Sequence, residues 1–469
     1  MDGHTSRSSA RTSPLRLAAG TGALVVIAFA YHVFISREMR ANGLRLGAVG
    51  PDVAPLYAYI KVHFDAWLIA PAATLGVFLA ALARSRFLAN RSDRRAWITF
   101  GLVAPVVAVS VAMIDGGPAA LVGPFAARAD LEYWSAAERV SDPIAFVRSY
   151  PGVLGRLPMH AQTHPPGGIL FFRAVRGAFG PGPWPAAWAV IAFGVVNAMI
   201  VFGWARRVGG PGAARRAAAL FVVAPGVVLF TATSTDAVFA APLIASMACF
   251  DEAIASTSRR SPLWGTLSGL MLGVAGFFTY SVAVAGLFCV IAATVAIWSK
   301  PRAVILAGTG ALMGFVVFHA VLWVATGFDP VATFRAALGH SHRIMAGTAH
   351  EEWARHAHLS VANLAAFLIG AGLPLVAAAV GRVPTSESGR PHRLAIATAL
   401  TLLIASCVPA YTLEVERIWI FVVPLVAIVA AVRLDAADDN RGDVTTSVLA
   451  VGLAALQTIV MEVILVTYW

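Results

Sequence analysis

The chain is 469 residues long, 58% hydrophobic and only 13% charged. Soluble domains carry roughly 25% charged residues, so the composition excludes a soluble globular fold and implies a membrane protein. The net charge of +11 does not imply a nucleic-acid partner. The lysines and arginines are spread over short segments between apolar runs, not gathered into one basic face.

Residues 1–16 form a polar tail with Arg7, Arg11 and Arg16. The apolar run behind it is long enough to span and lacks a clear small-residue cleavage site, so it reads as a retained first helix. Runs able to cross a bilayer core of about 30 Å begin near Leu17, Leu56, Ile98, Trp184, Ala217, Asp236, Leu263, Val282, Ala303, Val361, Leu394, Ile418 and Thr445. Backbone polar groups in lipid must be satisfied internally. The expected fold is therefore all-α, a polytopic transmembrane helix bundle of about thirteen spans, range twelve to fourteen, with helices in its outward loops. The expected organisation is a tail (1–16), two N-terminal helices (17–97), a core (98–433), and a linker with a last helix (434–469).

With the N-terminus in the cytoplasm, the inner segments hold most of the 35 Lys/Arg and the smaller share of the 24 Asp/Glu. They include Arg84, Arg86, Arg91, Arg94 and Arg95, then Arg206, Arg207, Arg215 and Arg216. Short basic loops near helix ends stay inside, so this is the expected topology, in a cell membrane. Segments near 115–183, 327–360 and 411–417 then face outward. Cys249, Cys289 and Cys407 lie in apolar runs and read as core residues. The Gly209-Gly210-Pro211-Gly212 stretch lacks a phosphate-loop pattern and reads as a loop. His32, Asn197, His319, Gln457 and Glu462 are polar residues inside apolar runs.

The first outward loop contains Asp130 and Glu132, and paired carboxylates can serve as general base and hydroxyl anchor. Two residues apart, they share a face only on an extended strand. Tyr133 and Trp134 beside them suit a sugar ring or an interfacial belt. In His164-Pro165-Pro166-Gly167, the prolines stiffen the chain and the glycine allows a sharp turn before a helix. The second outward loop gathers His340, His342, His350, His356 and His358 with Arg343, Glu351 and Glu352. No spacing there matches a zinc motif, and a lid or plain surface is expected.

Further motifs follow in order: Phe179-Gly180, Arg206-Arg207, Ser234-Thr235-Asp236-Ala237, Gly273 through Tyr280, and Arg417 through Pro424. Together these resemble the polyprenyl-phosphate-dependent glycosyltransferases of the GT-C superfamily, in the protein-mannosyltransferase and aminoarabinose-transferase-like branch, over roughly residues 98–433. Leu131 separates two acids that are adjacent in the family, and Thr279 precedes Tyr280 where a lysine is common. The resemblance implies a GT-C-like fold and sugar transfer from a polyprenyl-phosphate donor to a lipid, glycan or protein acceptor on the non-cytoplasmic face. It implies no cofactor, with a divalent metal only a minor expectation. It assigns Asp130 as base with Glu132 assisting. Arg417, beside Glu414 and Glu416, would meet the leaving phosphate, and Asp236 would bind sugar hydroxyls or orient an arginine. His164, Tyr280 and Arg343 would contact substrate. The competing readings are a transporter or lipid flippase, which predicts paired repeats and broken midplane helices, and a noncatalytic membrane subunit.

Overall fold

The computed structural model describes residues 12–43, 46, 52–62, 65–84, 93–127, 132–256, 259–345, 352–384, 389–408 and 414–467, with backbone alone at 342–345 and 352–354. Helix α1 (Pro14–Asn42) starts where the Ser13 hydroxyl accepts from the Arg16 N–H at 3.3 Å, and it stops at Gly43, φ 64°. A left-handed glycine is a common helix stop. The span expected from Leu56 begins later than its hydropathy indicated. Strand β1 (Ala58–Ile60) intervenes before α2 (Ile69–Arg84). That strand pairs antiparallel with β2 (Leu465–Thr467) at the far end of the sequence. A short apolar strand has the same hydropathy as the first turns of a helix, so composition did not separate them.

Next come α3 (Asp93–Ala112) and the loop helices α4 (Pro118–Ala126), α5 (Tyr133–Ala137), α6 (Pro143–Val153) and α7 (Gly167–Phe179). Helix α8 (Pro183–Phe221) is broken at Gly210, φ 84°. The Gly-rich stretch read as a loop is therefore a kink with helix on both sides. Then follow α9 (Pro225–Thr231), α10 (Asp236–Ala255), α11 (Ser261–Phe278), α12 (Val282–Ala296), α13 (Pro301–Thr326), α14 (Pro330–Met345), α15 (Glu352–Ala371) and α16 (Leu373–Ala379). The chain closes with α17 (Arg390–Ser406), α18 (Val415–Ile418), α19 (Val423–Arg441) and α20 (Thr445–Ile464). Many of these helices carry proline in their first turn, where its missing N–H costs nothing and its φ already suits a helix.

The protein is an integral membrane helix bundle. Among the described residues, 8 helices are long and apolar enough to cross a membrane, or 9 when Arg355–Ala371 and α16, bent by 97°, count as one. The other expected starts fall on the second half of α8 with α9, on the shorter helices α12 and α17, and on α19, whose last half is charged. Gln457 supports the bend. Its Oε1 accepts from the Leu373 N–H at 2.8 Å, and its Nε2 donates to the Ile369 carbonyl at 2.9 Å. A polar side chain in the apolar run thus satisfies backbone groups that the break frees.

Helix α10 is central, with 78% of its spanning window buried, against 11% for α1 and 22% each for α2 and α13. The peripheral helices turn their apolar side chains outward, as lipid requires. Helices α11 and α13 touch backbone to backbone: a Cβ on Gly269 would lie 1.9 Å from the Ala311 carbonyl oxygen. Small residues at such crossings permit the close packing that holds membrane helices together.

One end of the bundle collects the basic turns. Arg206 and Arg215 meet Asp93 at 2.7 and 3.1 Å. Arg216 bridges Asp435 and Asp438 and donates to the Ser447 hydroxyl at 2.8 Å. Arg390 and Arg393 both reach Asp251 at 2.9 Å, and the Trp204 indole donates to it at 3.0 Å.

Candidate functional site

Asp251 lies near the last turn of α10, whereas Asp236 opens that helix. At 1.5 Å per residue they stand about 22 Å apart, at opposite ends of the bundle. Around Asp236 a narrow cleft is lined by Glu132, Tyr133, His160, His164, Ser234, Thr235, Phe239, Arg417 and Ile418.

Asp236 does not cap its own helix. Its carboxylate accepts from the Ser234 hydroxyl at 2.7 Å and forms an ion pair with the Arg417 guanidinium. Arg417 also donates to the Ser234 hydroxyl at 3.3 Å and pairs with Glu414. Burial works against its charge, but the Asp236 and Glu414 carboxylates outweigh that and keep the guanidinium firmly protonated. Glu414 has φ 62° and is the one non-glycine residue with positive φ among those described. Such backbone is held only where the surroundings impose it, and it clusters at functional sites.

The His-Pro-Pro-Gly element forms the opposite wall. His164 is extended, φ −129° and ψ 161°, and Pro166 caps α7. The His164 Nδ1 lies 2.9 Å from the His160 carbonyl oxygen. A carbonyl can only accept, so Nδ1 carries the hydrogen and Nε2 keeps its lone pair. Burial lowers the pKa of this imidazole to about 4, against a smaller opposing pull from Asp236. His164 is therefore neutral at physiological pH: a hydrogen-bond acceptor through Nε2 and a weak base. The Tyr150 hydroxyl, 2.9 Å from the carbonyls of both Ala161 and His164, ties the turn down.

Gly167 and Gly168 serve close approach more than turning. A Cβ on Gly167 would lie 2.4 Å from the Phe277 carbonyl oxygen, and one on Gly168 would lie 3.0 Å from the Tyr133 ring. Tyr133 consequently wedges edge-on against His164 at 5.9 Å and Phe239 at 5.8 Å. Its phenol is driven upward in pKa by burial and then by the Asp236 and Glu132 charges, so it stays protonated. Trp134 is buried too, beneath the Arg176 guanidinium at 4.7 Å. Neither ring belongs to an interfacial belt.

Glu132 is extended, φ −94° and ψ 149°. Its carboxylate, 3% exposed, stands 3.4 Å from the His160 Nδ1. Asp130 lies outside the described residues, as does the side chain of Arg343. Two expected residues stand apart from the cleft. The buried Tyr280 hydroxyl has no hydrogen-bond partner among the described residues, and its ring packs on Phe334 at 5.2 Å. Glu416 turns away from Arg417 into an apolar chamber with Leu56, Ala58, Phe230 and Met461, where it accepts from the Tyr57 N–H at 2.8 Å. Burial pushes this carboxyl up to about 7, with the Tyr57 hydrogen bond opposing. Neighbours in sequence on a four-residue helix, Glu416 and Arg417 face different compartments.

Of the second-loop histidines, the His340 ring covers Gly155, His356 contacts the Cys407 carbonyl at 3.0 Å, and the His358 ring lies 6.2 Å from Phe34. Among the described residues no three His, Cys, Asp or Glu side chains gather as a metal set. Sequence reading had not singled out His160, Ser234 or Phe239 for the site. Ser234 stood in a quoted motif. His160 announced itself only by its four-residue spacing from His164.

Residues 163–324 match the dolichyl-phosphate-mannose-protein mannosyltransferase family, the kind of family to which the ordered motifs point. That stretch holds His164 and Asp236 and stops short of Glu132 and Arg417. One solved structure, an ArnT from Cupriavidus metallidurans bound to undecaprenyl phosphate, is 14% identical. The match covers 78% of this chain and 76% of that one, with a TM-score of 0.45. No curated protein matches the chain.

Proposed function

We propose that the chain is a membrane glycosyltransferase that moves a sugar from a polyprenyl-phosphate donor to an acceptor hydroxyl or amine at the Asp236 end of the bundle. The observation that carries this reading is convergence. Glu132, His164, Asp236 and Arg417 come from four separate segments and line one cleft. The match to a lipid-phosphate-dependent sugar transferase family over residues 163–324 supports the same class.

In this reading Glu132 takes the acceptor proton as the acceptor oxygen or nitrogen attacks the anomeric carbon. The new bond forms as the anomeric carbon–phosphate oxygen bond breaks. Polyprenyl phosphate leaves with the bonding pair, against the Arg417 cation. Asp236 holds Arg417 in place. The His164 Nε2 lone pair accepts from a sugar hydroxyl. Asp130, two residues before Glu132, is a second candidate base. The basic turns at the opposite end support a cytoplasmic location for that end, and in this reading transfer occurs on the non-cytoplasmic face of a cell membrane.

The test uses purified protein in nanodiscs with a panel of synthetic polyprenyl-phosphate-linked sugars and a membrane-extract acceptor pool. The expected result is release of polyprenyl phosphate with a sugar appearing on an acceptor, and loss of donor binding in Arg417→Ala. Binding of a donor lipid undiminished in that variant rejects the phosphate role. Vectorial movement of lipid without transfer points to a flippase instead.

A further inference from the structure

The geometry points to His160 as the positioning residue for the Glu132 carboxylate, through an Nδ1–H donated to Oε1. This rests on the transferase reading for its catalytic meaning, but the contact itself does not.

Two features of one residue carry it. The His160 carbonyl accepts from the His164 Nδ1–H at 2.9 Å, which sets the His164 tautomer. Its own ring reaches the other way, with Nδ1 3.4 Å from Glu132 Oε1. Both side chains are enclosed, 16% and 3% exposed. A buried carboxylate is costly without a donor or cation facing it. A free glutamate also has three rotatable torsions before its carboxylate, and a base must sit within hydrogen-bond reach of its proton. The 3.4 Å separation exceeds an ideal N–H···O length by a few tenths of an ångström, a gap that a small rotation of the ring would close. The short 3₁₀ turn His160–Thr163 thus aims two groups at once: the acid through its side chain, and His164 through its backbone.

Among the described residues, the ring lies close to Glu132, the Tyr133 ring at 6.4 Å, and His164. Arg156 lies on the turn beside it, and Arg335 and His340 lie on α14, which packs on that turn. Glu132 is a carboxylate within ion-pair distance of the ring.

Two measurements test the inference. The first needs no substrate: ¹⁵N NMR of histidine-labelled protein in nanodiscs, at alkaline pH where the imidazoles are neutral. His160 is expected as the Nδ1–H tautomer in the wild type and in Glu132→Gln, whose amide oxygen still accepts. In Glu132→Ala it should revert to the Nε2–H form that free imidazoles favour. The same tautomer in all three proteins, or Nε2–H in the wild type, overturns the contact. The second is kinetic. His160→Ala is expected to lower kcat about 10- to 100-fold, reaching only the lower end of the roughly 10²- to 10⁴-fold contribution of a general base, with KM for the donor lipid changed less than about 3-fold. His160→Asn, whose amide nitrogen falls where Nδ1 was, is expected to recover most of that loss. If Asn is as poor as Ala, His160 is packing and not a positioning donor. If no donor in the panel turns over, the NMR result still decides the contact, and only the transferase reading fails.

Discussion

Helix α10 carries an aspartate near each end, and each aspartate anchors arginines in a different way. At the basic end, Asp251 spends both oxygens inside the protein, on Arg390, Arg393 and the Trp204 indole. Arg216 is similarly enclosed by Asp435, Asp438 and Ser447. The packing there is tight enough that a Cβ on Gly212 would lie 2.0 Å from Asp435 Oδ1. At the other end, Asp236 and Glu414 share one arginine at the wall of a cleft. Taking charges out of water costs several kcal/mol per ion unless the partners compensate. At the basic end that compensation is internal and the cluster is closed. At the cleft it is arranged along a wall that also carries Glu132 and His164. The same residue types thus build a fastener at one end and the wall of a cleft at the other.

The comparison breaks most visibly if chemistry follows the wrong end. Glu132→Gln should lower transfer by about 10²- to 10⁴-fold, the usual contribution of a general base, with the unfolding midpoint nearly unchanged because the amide fills the same space. Full turnover in that variant would move the base to Asp130 or elsewhere. Arg216→Ala should do the reverse. It strands Asp435 and Asp438 and should cost about 3–5 kcal/mol of stability, read as a large drop in detergent unfolding temperature. Turnover per folded molecule should stay near wild type. A variant as stable as the parent would show that the basic end is not a fastener.

That asymmetry was only partly legible in the sequence. Apolar run length exposed the helical bundle, because lipid leaves the backbone few other choices. It misread residues 56–60, where a strand finds its partner more than 400 positions later, at Leu465–Thr467. Motif order brought out Glu132, His164, Asp236 and Arg417, which do line one cleft. It grouped Glu416 with Arg417 because they are adjacent, whereas a left-handed residue at 414 and a single helical turn send them to opposite sides. His160 went unnoticed because its role depends on a 3₁₀ turn, and such a turn leaves no periodicity to read. Adjacency in sequence carries little information about facing when the local element is shorter than two turns.

The cleft wall offers a subtler test. Gly168→Ala adds a Cβ 3.0 to 3.2 Å from the Tyr133 and Phe239 rings. Overpacking of this kind costs about 1–3 kcal/mol, and here the strain falls on the ring that meets His164. Activity should decline more steeply than stability, since a displaced Tyr133 shifts the cleft while the bundle remains intact. Equal losses in both measurements would mean that the wall is mere core.

The smallest expected effect has the most telling sign. Glu414 pairs with Arg417 from one side, and its side chain is more exposed than that of Asp236, 23% against 10%. An incoming phosphate must compete with that carboxylate for the same guanidinium, and the outer, more solvated partner is the cheaper to displace. Glu414→Gln keeps the size of the side chain and the same left-handed backbone but removes the competing charge. Binding of a polyprenyl phosphate in phosphatidylcholine nanodiscs should therefore tighten, by about 3- to 10-fold. That corresponds to roughly 0.6–1.4 kcal/mol, the scale of a partly exposed ion pair. Asp236→Asn should weaken the same binding, because the inner carboxylate orients Arg417 and does not compete for it. If both variants weaken binding, the two acids act alike and the cleft is built like the basic end. Opposite signs would assign Glu414 as the exchangeable partner and Asp236 as the fixed one, a division that the closed cluster around Asp251 cannot make.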